Sequence, residues 1–186
     1  MKKEGKKANM TSANTQIVSY SPSSSSKSTH QFTYEVFLSF RGEDTRYGFT
    51  DHLYEAFISH GIRTFRDDEE LERGGMIASD ILNAIEESKI FVIIFSENYA
   101  TSRWCLDELV RIFECTATEK RLILPVFYHV DPSEVGEQSG SYEKAFVDHE
   151  KEADEEKKEE IQKWRIALRK AANLAGYDLQ IGRAHV

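Results

Sequence analysis

Cysteine is scarce in this chain, with Cys105 and Cys115 the two present in 186 residues. Ten positions apart on one helix, they would lie about 15 Å apart along its axis. A disulfide needs Cα atoms within roughly 7 Å. Both therefore read as reduced thiols, the state a cytosolic compartment maintains. No apolar run approaches the ~20 residues of a membrane span. Met1 to Met10 is basic, yet no apolar core follows it, which excludes a secretory signal. Lys2 after Met1 excludes the usual myristoylation start. Positive charge is in deficit, 24 Lys and Arg against 32 Asp and Glu, for a net charge of −8. That balance lacks the concentrated basic face of a general nucleic-acid binder.

Several catalytic signatures are missing as well. No Walker loop and no Gly-x-Gly-x-x-Gly occurs, so a P-loop or dinucleotide fingerprint is absent. No Cys/His grouping has zinc spacing, and no metal site is expected. A phospho-aspartate receiver would want Asp at the end of its third strand, where this chain has Phe95-Ser96. Neither Ser96 nor Ser102 lies in a nucleophile-elbow sequence. The histidines, His30, His52, His60, His129, His149 and His185, are scattered and read as surface or packing residues.

What is present fits a globular protein with room for one domain of ordinary size. Residues 1–32 read as a disordered Lys/Ser-rich tail that includes the low-complexity run Ser21-Pro22-Ser23-Ser24-Ser25-Ser26. From Tyr34 the pattern changes. Strands are predicted over Tyr34–Phe40, Ile62–Phe65, Lys89–Phe95 and Arg121–Tyr128, with a short fifth over Tyr177–Leu179. Helices are predicted over Gly48–His60, Ile77–Glu87, Ser102–Thr118, Ser141–His149 and Ile161–Leu174. A Glu/Lys run separates the last two. In the third, Leu106, Leu109, Val110 and Phe113 are expected to face inward; in the first, Phe49, Leu53, Tyr54, Phe57 and Ile58. Alternating strands and helices indicate a parallel sheet covered on both faces, and continuous apolar strands agree. With right-handed crossovers the fold class is α/β, a flavodoxin-like doubly wound sheet of about five parallel strands with helices on both faces.

Ligands in such folds bind beyond the carboxyl ends of the strands, which puts three loops at one rim. The first is Arg41-Gly42-Glu43-Asp44-Thr45-Arg46. Gly42 permits a tight turn or close approach of a ligand, and Arg41 and Arg46 suit phosphates; the plainer alternative is a polar helix start with internal salt bridges. The second, from Asp67 to Met76, places Asp67 where it would meet ribose hydroxyls, or is simply a solvated acidic loop. Its length and the pair Gly74-Gly75 suggest mobility. The third carries Trp104 and Glu108, four residues apart and so on one helix face. Trp104 suits a flat ring, and Glu108 suits an oxocarbenium-like centre, as in N-glycosidic cleavage. The plainer alternative is a core tryptophan beside an exposed glutamate.

The stretch from Tyr34-Glu35-Val36-Phe37-Leu38-Ser39-Phe40 through Arg41-Gly42-Glu43-Asp44-Thr45-Arg46 resembles the opening of the TIR domains of plant intracellular immune receptors. The likeness continues through Gly61-Ile62-Arg63-Thr64-Phe65-Arg66-Asp67-Asp68, Ala84-Ile85-Glu86-Glu87-Ser88, Phe95-Ser96-Glu97-Asn98-Tyr99-Ala100 and Trp104 to Leu109. It runs on through Leu124-Pro125-Val126-Phe127-Tyr128-His129-Val130-Asp131-Pro132-Ser133 to Trp164 and Ala171-Ala172-Asn173-Leu174. It covers residues 33–180, leaving 181–186 as a tail that reads as non-native or outside the domain. The resemblance implies a domain that self-associates and hydrolyses NAD⁺ or NADP⁺ at the nicotinamide–ribose bond. The implied products are cyclic ADP-ribose-type signals in plant innate immunity and cell death. NAD(P)⁺ is then a substrate, and no cofactor is implied. Glu108 takes the role of catalytic glutamate; Phe40, Arg41, Gly42, Arg46, Asp67 and Trp104 fall in or near the nucleotide pocket. Asp51 and His52 mark one self-association surface and Gly140 a second. Expected partners are other copies and other TIR domains, with no membrane and no specific nucleic acid; the expected location is the cytoplasm or nucleus. The alternative is a non-catalytic TIR–TIR interaction module.

Three departures bear on this reading. Asp51 stands where the family often has Ser, and Gly136 where many relatives have Arg. Relatives continue past the Tyr177 region into one more helix, whereas this chain ends at Val186. It therefore reads as a truncated form with one thinly covered sheet face.

Overall fold

The computed structural model describes residues 32–66, 79–151 and 153–179. Strand β1 (Tyr34–Phe40) leads into a short helix α1 (Gly42–Thr45), a wide helical turn over Arg46–Thr50 and helix α2 (Asp51–Ser59). Then come β2 (Thr64–Arg66), α3 (Ser79–Glu86), β3 (Ser88–Phe95) and a 3₁₀ turn at Tyr99–Thr101. They are followed by α4 (Arg103–Thr118), β4 (Leu122–Tyr128), α5 (Pro132–Glu137), α6 (Gly140–Glu150), α7 (Glu155–Ala172) and β5 (Tyr177–Leu179). The strands form one sheet in the order β2-β1-β3-β4-β5, with every pairing parallel. This is the doubly wound order expected from the strand–helix alternation.

Side chains alternate across the sheet and feed two cores. Phe37, Phe91, Ile93, Phe95 and Phe127 point to one face, where α3, α4, α5, α6 and α7 cover them. Val36, Leu38, Phe40, Val92, Ile94 and Val126 point to the other, packed by Phe49, Leu53, Tyr54 and Phe57 from the α2 side. The second face is the thinner one, since α2 has no fully buried residue. It retains an apolar cleft of about 280 Å³ lined by residues that include Phe57, Leu124, Val126, Tyr177 and Leu179.

Four local expectations need correction. The helix predicted over Gly48–His60 begins at Asp51, because Tyr47 and Gly48 leave helical geometry, and Ile58 is exposed rather than inward. Residues 42–45, read as loop, form α1. Asp131, read as a strand stop, also starts a helix: its side chain accepts from the Ser133 amide at 2.8 Å, with Pro132 in the first turn. The Glu/Lys run, read as a separator, is the first part of α7, capped by Asp154, which accepts from the Lys157 amide at 2.8 Å. Gly136 sits where α5 meets α7, and a Cβ there would stand 2.9 Å from Ala172 Cβ. That contact gives a local reason for glycine at this position.

Candidate active site

Helix α4 starts sharply because Ser102 caps it, its hydroxyl accepting from the Cys105 amide at 3.3 Å. Its buried stripe is Cys105, Leu106, Glu108, Leu109, Ile112 and Cys115, whereas Val110 and Phe113 are only half-buried. The stripe is therefore rotated from the expected one and carries Glu108 into the protein. The plainer alternative for this pair is reversed: Glu108 is 3% exposed, and Trp104 is the half-buried member. The Trp104 indole nitrogen is itself buried and has no hydrogen-bond partner. An indole N–H has a single hydrogen to donate, and here it is the one ring group left unsatisfied at the start of α4.

Ser39, one residue before the end of β1, shares a strand face with Phe37 and so points toward α4. Its hydroxyl donates to Glu108 Oε2 at 3.0 Å. The Tyr99 hydroxyl lies 3.0 Å from Ser39 Oγ and 3.1 Å from the Cys105 carbonyl, to which it can donate. The Cys105 thiol donates to the Phe40 carbonyl at 3.4 Å. Burial pushes the Tyr99 phenol well above its usual range, aided by Cys105 and Glu108, so it remains a neutral donor. These bonds tie the end of β1 to α4 between β1 and β3. That is where the strand order reverses and where doubly wound sheets bind ligands.

The first and third rim loops are bolted together. Asp44 accepts from the Asn98 amide at 2.9 Å and from its side-chain nitrogen at 3.0 Å. Phe40 is buried at the strand tip, with the Arg46 guanidinium 5.3 Å from its ring centroid. Gly42 is the buried first residue of α1. Arg41 pairs with Glu43 at 2.8 Å, so the loop has the internal salt bridge of the plainer reading and also holds two cationic side chains close to the strand end. Asp67 and the loop to Met76 lie outside the described residues.

The other singled-out residues stand on separate surfaces. Asp51 opens α2 and pairs with Arg66 at 2.8 Å, while Arg66 lies 4.2 Å from the Tyr54 ring centroid. His52 is exposed beside it. Gly140 is exposed at the start of α6 with φ +60. Ser39, Tyr99, Asp44 and Asn98 escaped sequence reasoning; their bonds span 54 to 69 positions, and no local spacing announces them. Among the described residues, no group of three His, Cys, Asp or Glu side chains is placed to hold a metal ion. No helix there is long and apolar enough to cross a membrane.

A family model described as the TIR domain matches residues 33–184. The chain is 60% identical over 147 residues to the disease resistance protein RPV1 of Vitis rotundifolia, covering 79% of this chain and 10% of that protein. It is 55% identical over 152 residues to the TMV resistance protein N of Nicotiana glutinosa, covering 82% of this chain and 13% of that one. The chain thus spans only about a tenth of the length of the curated relatives it matches. Among solved structures, it is similar to the TIR domains of the activated Roq1 resistosome directly recognizing the pathogen effector XopQ. There the TM-score is 0.72 and the identity 49%, over 78% of this chain and 87% of that one.

Proposed function

The chain belongs to the TIR domain family, and from that premise we propose that it is a self-association-dependent NAD(P)⁺ hydrolase of plant immune signalling. The observation that carries this reading is the Ser39–Glu108 pair, a nearly inaccessible carboxylate held at the switch point of the sheet. Cleavage of the nicotinamide–ribose bond sends its electron pair to the nicotinamide nitrogen and leaves positive charge on the ribose. A fixed carboxylate in a dry site stabilises that charge far better than one in water. In this reading Glu108 faces the developing oxocarbenium and the Trp104 ring offers a stacking surface. Arg41 and Arg46 complement the diphosphate, and Asp67 meets ribose hydroxyls. Attack by water on the ribose carbon completes hydrolysis; attack by an adenine nitrogen of the same molecule gives a cyclic ADP-ribose-type product.

Dependence on assembly follows from the need to exclude water. Trp104 is half-buried in a single copy, and contact between copies would shield it and the site further. Relatives named for disease resistance and TIR domains within an activated resistosome support an immune setting; the cytoplasm or nucleus is the location this reading assigns.

Product analysis after incubation of concentrated protein with NAD⁺ tests the chemistry. Free nicotinamide and an ADP-ribose-type product are expected, and Glu108→Gln is expected to lower turnover by at least about 100-fold. Equal turnover by the two proteins would remove Glu108 from the reaction. Undiminished signalling by a Glu108→Gln protein that still self-associates would favour the non-catalytic interaction module.

A further inference from the structure

Two hydroxyls stand behind Glu108, and neither is exposed to solvent: Ser39 is 1% and Tyr99 0% exposed. Each carries one proton and has two partners. Ser39 Oγ lies 3.0 Å from Glu108 Oε2 and 3.0 Å from the Tyr99 hydroxyl. The Tyr99 hydroxyl also lies 3.1 Å from the Cys105 carbonyl, which can only accept. With Glu108 ionised, Tyr99 donates to Ser39 and Ser39 donates to the carboxylate. With a proton on Oε2, these two bonds reverse and the Tyr99 hydroxyl turns: Glu108 donates to Ser39, Ser39 to Tyr99, and Tyr99 to the Cys105 carbonyl. The proton comes from solvent, and no bond between heavy atoms changes. Each hydroxyl stays hydrogen-bonded in both states, so neither state leaves a buried hydroxyl orphaned.

We propose that Ser39 and Tyr99 are positioning residues forming a reversible hydrogen-bond circuit that holds Glu108 in one place and sets its protonation equilibrium. The circuit rests on Glu108 being the reactive group for its relevance, but its existence does not. In the ionised state Ser39 supplies a donor to the carboxylate, which favours the charged form. Tyr99 strengthens that donor by donating to Ser39 in turn. The titratable groups shown in contact with the circuit among the described residues are Tyr99 from the turn after β3 and Cys105 on the same helix as Glu108. Tyr142 of α6 stands farther out, its hydroxyl donating to the Ser96 carbonyl at 3.0 Å. Burial keeps that phenol protonated as well.

The test is a pH titration of the Glu108 side-chain carboxyl carbon by ¹³C NMR in glutamate-labelled protein, assigned by loss of the signal in Glu108→Gln. Ser39→Ala is expected to raise the Glu108 pKa by about one unit. Tyr99→Phe is expected to shift it the same way by less. Ser39→Cys, which restores a weak donor, is expected to fall between wild type and Ser39→Ala. Tyr99→Phe keeps the ring in its pocket, so it serves as the readout if Ser39→Ala does not fold. An unchanged Glu108 titration in folded Ser39→Ala or, failing that, in Tyr99→Phe overturns the circuit. A shifted titration in a protein whose NAD⁺ turnover ignores Glu108→Gln leaves the circuit standing and discards the catalytic reading.

Discussion

His149 shows what one side chain contributes beside this site. It reaches from α6 to donate from Nε2 to the Ala100 carbonyl at 2.8 Å, just ahead of α4. Its ring meets Trp164 edge-on at 5.2 Å. Burial pushes its pKa below the usual 6.5, and Lys157 and Arg103 add to the effect, against the Ala100 bond and Asp148. A depressed histidine binds fewer protons folded than unfolded as pH falls, so its stability contribution is present above pH 6.5 and is lost below it. Thermal melts of wild type are therefore expected to fall as pH drops from 7 toward 5.5. His149→Gln is expected to show a flatter slope; identical slopes would show that His149 does not titrate differently on folding. Glu108 makes the same point about sequence: its place four residues after Trp104 was legible, but its burial was not. Burial depended on Ile112 and Cys115 joining the inward stripe, and on Ser39, 69 positions away.

The elements were legible in proportion to their apolar content. The strand predicted over Lys89–Phe95 is found as Ser88–Phe95, because both its faces are covered and its side chains are almost all apolar. Helix α5 has six residues, too few to display periodicity, although the Asp-Pro-Ser signature at its start was in plain view. The first turns of α7 are charged because they face water. They announce themselves only by Asp154 and by acidic residues at the positive end of the helix. Helix α6 begins at a residue held at φ +60, where any side chain is strained. Gly140→Ala is expected to cost about 1 kcal/mol, read as a melting temperature lower by about 2–4 °C in dilute protein. An unchanged melting temperature would mean that glycine is kept there for contacts between copies rather than for the turn.

Across the whole molecule, the doubly wound parallel architecture was legible from the strand–helix alternation and the crossover rule, and the structure supplies the order β2-β1-β3-β4-β5. That order is what brings the ends of β1 and β3 together with the start of α4, and so assembles the candidate site. Among the described residues the two faces are unequal: five helices pack on one, and α2 with its preceding turn on the other. Assembly is the feature a single sequence expresses least, since the surfaces proposed for it carry polar or turn positions such as His52 and Gly140. The central claim joins both levels: Glu108 performs the chemistry, and contact between copies makes it competent. The most direct measurement is the rate of NAD⁺ consumption per mole of protein over a hundredfold range of protein concentration, for wild type and Glu108→Gln. The account predicts a specific rate that climbs steeply with concentration in wild type and stays at background throughout in Glu108→Gln. A specific rate independent of concentration, or a Glu108→Gln curve that follows wild type, would contradict it.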